Sequence, residues 1–150
     1  MDFTMDLTKT TPRSVHETFV GIVQLARTTD KAKALTHGNI GEYKYDCPMD
    51  KGVFDFLGIN GPEYLKIVKN AKSDAEIEAF VKPFASKKSA QEIALFNKQW
   101  MTTPPNGDSL AHFNQLRTRI APDRTDVTTW PDLLDLEEGR AIPRRETVRV

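Results

Sequence analysis

The sequence predicts an all-α fold, a compact bundle of about seven or eight short helices. Three observations carry that prediction. Apolar residues recur at helical spacing in one segment after another. Ser14 with Glu17, Ser73 with Glu76 and Ser89 with Glu92 repeat the S-x-x-E capping box that opens helices. Alternating strand patterns are almost absent; the exception is residues 42–45, where one tiny β element is expected.

Residues 1–13 read as an extended N-terminal arm from which Phe3 or Leu7 tucks against the body. Ser14 opens the first helix, with Val15, Phe19, Ile22, Val23 and Ala26 on its buried face. Arg27-Thr28-Thr29-Asp30 interrupts it, Asp30 caps a shorter helix through Thr36, and Gly38 suits its stop. Residues 38–49 then cross the body as an extended segment with Tyr43 and Tyr45 inward, and Asp50 is the N-cap of a helix that buries Val53, Phe54 and Leu57 and ends at Gly58. Asn60-Gly61-Pro62-Glu63 starts another, with Pro62 in the first turn and Tyr64, Leu65, Val68 and Ala71 at helical spacing.

Ser73 opens a helix with Ile77, Phe80 and Val81 inward, which Pro83 ends or kinks. The helix after Ser89 runs to about Met101 and carries Ile93, Phe96 and Trp100 on one face. Thr103-Pro104-Pro105-Asn106-Gly107 is a loop, and Asp108 caps a helix with Phe113, Leu116 and Ile120 that stops at Ala121-Pro122. Thr129 caps the last helix, with Trp130 and Pro131 in its first turn and Leu133, Leu134 and Leu136 following, and Gly139 closes it. The expected organisation is a single helical domain over 14–139 and a mobile tail over 140–150, where four arginines face one glutamate. The expected core includes Phe19, Ile22, Phe54, Leu57, Phe80, Ile93, Phe96, Phe113, Leu116 and Leu133.

The 150-residue length suits one domain with a real core, and 39% hydrophobic with 28% charged residues marks a globular chain. Basic and acidic residues balance at 21 each, which gives no electrostatic case for nucleic acid or membrane partners. A single cysteine precludes an internal disulfide and suits a reducing compartment. The first residues carry acids where a signal peptide carries bases, and no apolar run approaches the roughly 18 residues of a membrane helix. The expected location is therefore cytoplasmic.

Pro12-Arg13-Ser14, Asp30 through Ala34 and Gly41 through Asp50 form one group of motifs; Phe113-Asn114 with Arg117, Ile120-Ala121-Pro122 and Thr129 through Glu137 form another. Together, over about residues 7–139, the chain resembles an uncharacterised bacterial family, domain of unknown function 5069. The resemblance implies a soluble, mostly helical bacterial domain, and it brings no activity with it.

Four groups of residues invite a chemical reading. Cys47 precedes a helix N-terminus, where the dipole favours a thiolate, and His37 is a potential base; the competing reading is a buried structural thiol. His16, His37 and His112 have ligand chemistry but no metal-site spacing, so no metal is expected. Arg27, Asp30 and Lys31 with Tyr43 and Tyr45 could hold a small anionic ligand, but an internal brace with Arg27 paired to Asp50 or Glu42 is favoured. Asp132, Asp135, Glu137 and Glu138 read as a solvated helix face.

No cofactor motif occurs. The reading that results is a binding or interaction module without demonstrable catalysis. Its alternative is a small-molecule-binding protein or enzyme whose site lies on residues 37–50 with Arg27 and Asp30. In either case Arg27, Asp30, Tyr43, Tyr45, Cys47 and Asp50 are the candidate set, as ligand site or as structural brace. The partner is unspecified: a protein, or a small anion.

Overall fold

The computed structural model describes residues 5–143. Phe3 and residues 144–150 of the expected tail lie outside the described residues. The described chain is all-α: α1 (Leu25–Thr36), α2 (Pro48–Leu57), α3 (Gly61–Asn70), α4 (Asp74–Ala85), α5 (Ala90–Thr102), α6 (Gly107–Ile120) and α7 (Trp130–Glu137). It divides into two compact units, Met1–Asn97 and Lys98–Val150.

In the first unit, the helix expected from Ser14 to Ala26 does not form. The Ser14 hydroxyl accepts the His16 amide at 3.0 Å, while the Glu17 amide goes to the Ser14 carbonyl at 3.1 Å. This is a local turn, and serine supports such turns as readily as it caps helices. Phe19 and Ile22 then form an isolated antiparallel bridge across Val20 and Gly21, both at positive φ (57° and 77°). Positive φ at both central residues is the geometry of a tight hairpin turn. Among the described residues this bridge is the β element; residues 42–45, where one was expected, hold no strand. Val15, Phe19, Ile22 and Val23 are buried as expected, but on a folded-back loop. The Asn97 side chain serves that loop, accepting the Val23 amide at 3.1 Å and donating to the Gly21 carbonyl at 2.9 Å.

The residues expected to interrupt a helix are the middle of one. Arg27, Thr28, Thr29 and Asp30 all lie in α1, and every residue from Leu25 to Ala34 is buried. Successive residues turn about 100° around a helix axis. Gln24 at the N-cap, Thr28 and Lys31 therefore share one face, Leu25, Thr29 and Ala32 a second, and Ala26, Asp30 and Lys33 a third. Gly38, at φ 73°, ends α1 as expected, with the Asn39 amide on the Ala34 carbonyl at 2.8 Å.

The N-cap of α2 is Cys47, not Asp50; Asp50 stands three residues in, and its carboxylate accepts the Cys47 amide at 3.2 Å. Asn60 caps α3 by accepting the Glu63 amide at 2.8 Å, and Ser73 caps α4 through the Glu76 amide. Pro83 lies inside α4, which ends two residues later at Ala85. Ser89 and Glu92 form the full reciprocal box of α5, at 3.0 and 3.1 Å. The core of this unit gathers Phe19, Ile22, Leu25, Val53, Phe54, Leu57, Tyr64, Val68, Ile77 and Val81. Phe80, Ile93 and Phe96, expected within it, are only half-buried against its edge.

In the second unit α6 starts after Asn106, so Asp108 is a first-turn acid, not the cap. Phe113, Val127 and Leu133 are its buried core, with Leu116, Ile120, Trp130 and Leu136 half-buried around them. Gly139 closes α7 at φ 83°, where the Arg140 amide reaches the Asp135 carbonyl at 2.8 Å.

Candidate functional site

The candidate residues lie on α1, on the crossing segment after it and at the start of α2, and they divide between separate polar clusters. The tightest surrounds Asp50, whose carboxylate is fully buried. It accepts hydrogen bonds from Gln24 Nε2 at 3.0 Å, Thr28 Oγ1 at 2.5 Å, Lys31 Nζ at 2.8 Å and the Cys47 amide at 3.2 Å. A carboxylate has about four lone-pair sites, and four donors fill them. Burial alone would push the Asp50 carboxyl up; the Lys31 ammonium and the hydrogen bonds from Lys31, Thr28 and Cys47 outweigh it and hold the group below the usual carboxylate range.

Lys31 is saturated as well. Its ammonium donates to Asp50, to the Lys44 carbonyl at 3.0 Å and to Cys47 Sγ at 3.5 Å. An ammonium has three protons and no more to give. The bond to Lys44 satisfies a carbonyl of the crossing segment, which has no ladder of its own. Gln24, at φ 72°, adopts a backbone conformation that non-glycine residues resist, and there its amide reaches Asp50.

Asp30 belongs to a second cluster. It accepts three bonds from Arg13: from the main-chain amide at 2.8 Å, from Nε at 3.1 Å and, through its other oxygen, from a terminal nitrogen at 3.0 Å. Lys33 stands 3.8 Å away and reaches Asp74 at 2.6 Å, so the start of α4 joins the network. Partial burial works against the Arg13 charge, and Asp30 overcomes it, raising its affinity for the proton. Arg27, expected opposite Asp50 or Glu42, instead donates to the Arg13 carbonyl at 3.4 Å and lies 5.5 Å from the Tyr43 ring centroid.

Tyr45 turns inward as expected. Its ring meets Phe54 edge-on, and its hydroxyl donates to the Gly61 carbonyl at 2.6 Å. Burial, then the neighbouring Tyr64, Asp50 and Asp46, push its ionisation well above the ordinary phenol range. Asp46 lays its carboxylate against Gly61, where a Cβ would displace it. Tyr64, wholly buried on α3, shares a 2.6 Å hydrogen bond with Thr29 of α1.

Cys47 is half-buried, more open than the buried thiol expected. The His37 ring bonds to the Lys33 carbonyl at 2.8 Å and so serves the end of its own helix. Among the described residues, no three His, Cys, Asp or Glu side chains converge as a metal site. The acidic run on α7 is not the solvated face expected: Asp132 and Asp135 are buried, and Arg140 pairs with Asp135 and Glu138. Only Glu137 of the four is exposed.

Sequence reasoning missed Gln24, Thr28 and Arg13. The first two were legible in principle: with Lys31 they fall at i, i+4 and i+7, one face of a helix. Taking Arg27–Asp30 as a break hid that register.

No helix among the described residues is long and apolar enough to cross a membrane. No curated protein matches the chain. One family profile covers residues 9–140, and the chain belongs to the family it defines, described as Domain of unknown function (DUF5069).

Proposed function

We propose that residues 14–139 form a cytoplasmic bacterial binding or interaction module without demonstrable catalysis, in which Arg27, Asp30, Tyr43, Tyr45, Cys47 and Asp50 act as an internal brace. The saturation of the Asp50–Lys31 pair carries this reading. A ligand site keeps hydrogen-bonding capacity in reserve for its ligand. Here four donors fill Asp50 and three acceptors take the Lys31 ammonium, all from within the fold. Asp30 is likewise engaged by Arg13 on both oxygens. The balanced charge supports a protein partner over a nucleic acid.

Native mass spectrometry of the chain purified from its own host tests the reading. The expected small-molecule content is none: the polypeptide mass alone. A stoichiometric small-molecule adduct that Tyr45→Phe abolishes would establish the alternative, a small-molecule-binding protein or enzyme with its site on residues 37–50, Arg27 and Asp30.

A further inference from the structure

Four phenylalanines of the first unit, Phe56, Phe80, Phe84 and Phe96, stop short of full burial and pack on the core from its rim. They form two pairs. Phe56 and Phe96 stack face to face with centroids 4.2 Å apart, and Phe80 and Phe84, one turn apart on α4, lie 5.3 Å apart. Two consecutive lysines join the pairs. Lys87 Nζ lies 5.6 Å from the Phe84 centroid and Lys88 Nζ 4.9 Å from that of Phe56. Their amides are fixed to the end of α4, on the Phe84 carbonyl at 3.3 Å and the Ala85 carbonyl at 3.0 Å. Next to Phe96, Leu95 is 56% exposed.

Lys87 and Lys88 have no carboxylate within ion-pair distance among the described residues, whereas Lys31 and Lys51 each have one and Lys33 has two. Glu92, whose charge Lys88 does feel, is engaged by the Ser89 amide. An aromatic surface edged by two cations that no carboxylate holds in an ion pair complements a segment that sets carboxylates beside bulky apolar side chains.

We propose that this face docks an acidic amphipathic segment of a partner protein, its apolar side chains on the phenylalanine rim and Leu95 and its carboxylates on Lys87 and Lys88. The proposal rests on the reading of the chain as an interaction module. A membrane surface is a poorer occupant, because stable attachment takes a cluster of about four to eight basic residues. Single-stranded nucleic acid is poorer too: it needs open ring faces, and Phe56 is covered by Phe96 on one side and approached by Lys88.

The test places p-benzoylphenylalanine at Leu95 of the full chain and irradiates it in its own host. The expected crosslink maps to an acidic, apolar segment of one protein. A synthetic peptide of that segment should bind the purified chain with an affinity that rising salt weakens and that Lys87→Glu/Lys88→Glu lowers by roughly tenfold or more. Lys87→Gln/Lys88→Gln should bind at an intermediate level and melt with the parent chain, which separates lost contact from lost fold.

A crosslink to a basic segment, to lipid or to nucleic acid, or no crosslink, overturns the proposal, as does lysine-dependent flotation with phosphatidylserine vesicles. The same probe at Leu110, exposed on α6, keeps the two readings apart. Protein crosslinks from Leu110 alone remove this face and leave the interaction module standing. A small-molecule adduct removes the module itself.

Discussion

Helices α1 and α5 invert the usual relation between sequence and burial. α1 reads Leu-Ala-Arg-Thr-Thr-Asp-Lys-Ala-Lys-Ala-Leu-Thr, has no side-chain cap, and buries ten of its twelve residues. α5 has a reciprocal capping box and an apolar stripe at Ile93, Phe96 and Trp100, and none of its thirteen residues is fully buried. A capping box fixes where a helix starts and says nothing about where it packs. A polar helix is buried when neighbouring segments bring one partner for each polar group. Asp50, Arg13 and Tyr64 come from three such segments. α1 is therefore held by specific pairs along its length, whereas α5 lays Ile93 and Phe96 on the edge of the core and adds one polar tie, Asn97 on the Val23 amide and the Gly21 carbonyl.

The widest separation between the two modes is expected at Asp50. Asp50→Ala leaves Lys31 buried without its counterion and should cost about 3–5 kcal/mol, the usual result of breaking a buried pair from one side. Lys31→Met/Asp50→Leu together should recover part of that loss: no charge is left without its counterion, while the Gln24, Thr28, Cys47 and Lys44 groups that faced the pair lose a partner. Urea melts at neutral pH decide this. A double variant as unstable as Asp50→Ala would mean that the pair holds α2 through geometry that apolar packing cannot supply. The same pair fixes the acid limb. The Asp50 carboxyl is depressed in the folded state, so the unfolded chain binds the proton more readily. Its stabilisation is complete above the unfolded value of about 3.9 and is lost as pH falls through the lower folded value. Lys31→Met/Asp50→Leu should show a shallower loss of stability below about pH 4.

Burial by area is compared by truncating one phenylalanine of each kind. Phe54 is 2% exposed at the centre of the core, and Phe54→Ala should cost about 3–5 kcal/mol. Phe96 stacks on Phe56 at the edge and is only partly buried, so Phe96→Ala should cost less, about 1–2 kcal/mol. Equal midpoint shifts would show that α5 is anchored as firmly as α2.

What the sequence disclosed follows the same division. The start of α3, α4 and α5 was legible because Asn60, Ser73 and Ser89 each act on an amide three residues away. Gly38, Gly58 and Gly139 were legible as stops because a left-handed residue at a helix end is a local need. The segment from Ser14 to Gln24 was not. Its apolar spacing is helical, but its shape depends on Asn97, more than seventy residues away, taking up the loop's Val23 amide and Gly21 carbonyl. Tyr45 was singled out as a ring whose hydroxyl needs a partner, and Asp50 as part of the polar supply around the crossing segment. Which partners could not be read, because Gly61 reaches Tyr45 and Lys31 reaches Asp50 only once α1, α2 and α3 are packed.

A smaller effect is expected where the crossing segment meets α3. Tyr45→Phe keeps the ring against Phe54 and removes the donor to the Gly61 carbonyl. The cost should be about 1–2 kcal/mol, that of an acceptor left unsatisfied. An unshifted urea midpoint would mean that water replaces the hydroxyl and that the brace does not depend on it.

The smallest effect is expected at Cys47, where the sulfur accepts the Asp50 amide as N-cap and lies beside Lys31. Serine performs the same capping with a better acceptor, so Cys47→Ser should shift stability by less than about 0.5 kcal/mol. Cys47→Ala loses the cap and should cost about 1 kcal/mol. The difference isolates the acceptor role from the bulk of the side chain. If serine and alanine destabilise alike, the thiol matters through its packing under the crossing segment and not as the cap of α2. Native-state labelling then gives a second view: a half-buried sulfur held by an amide and an ammonium should react with a thiol reagent more slowly than in urea.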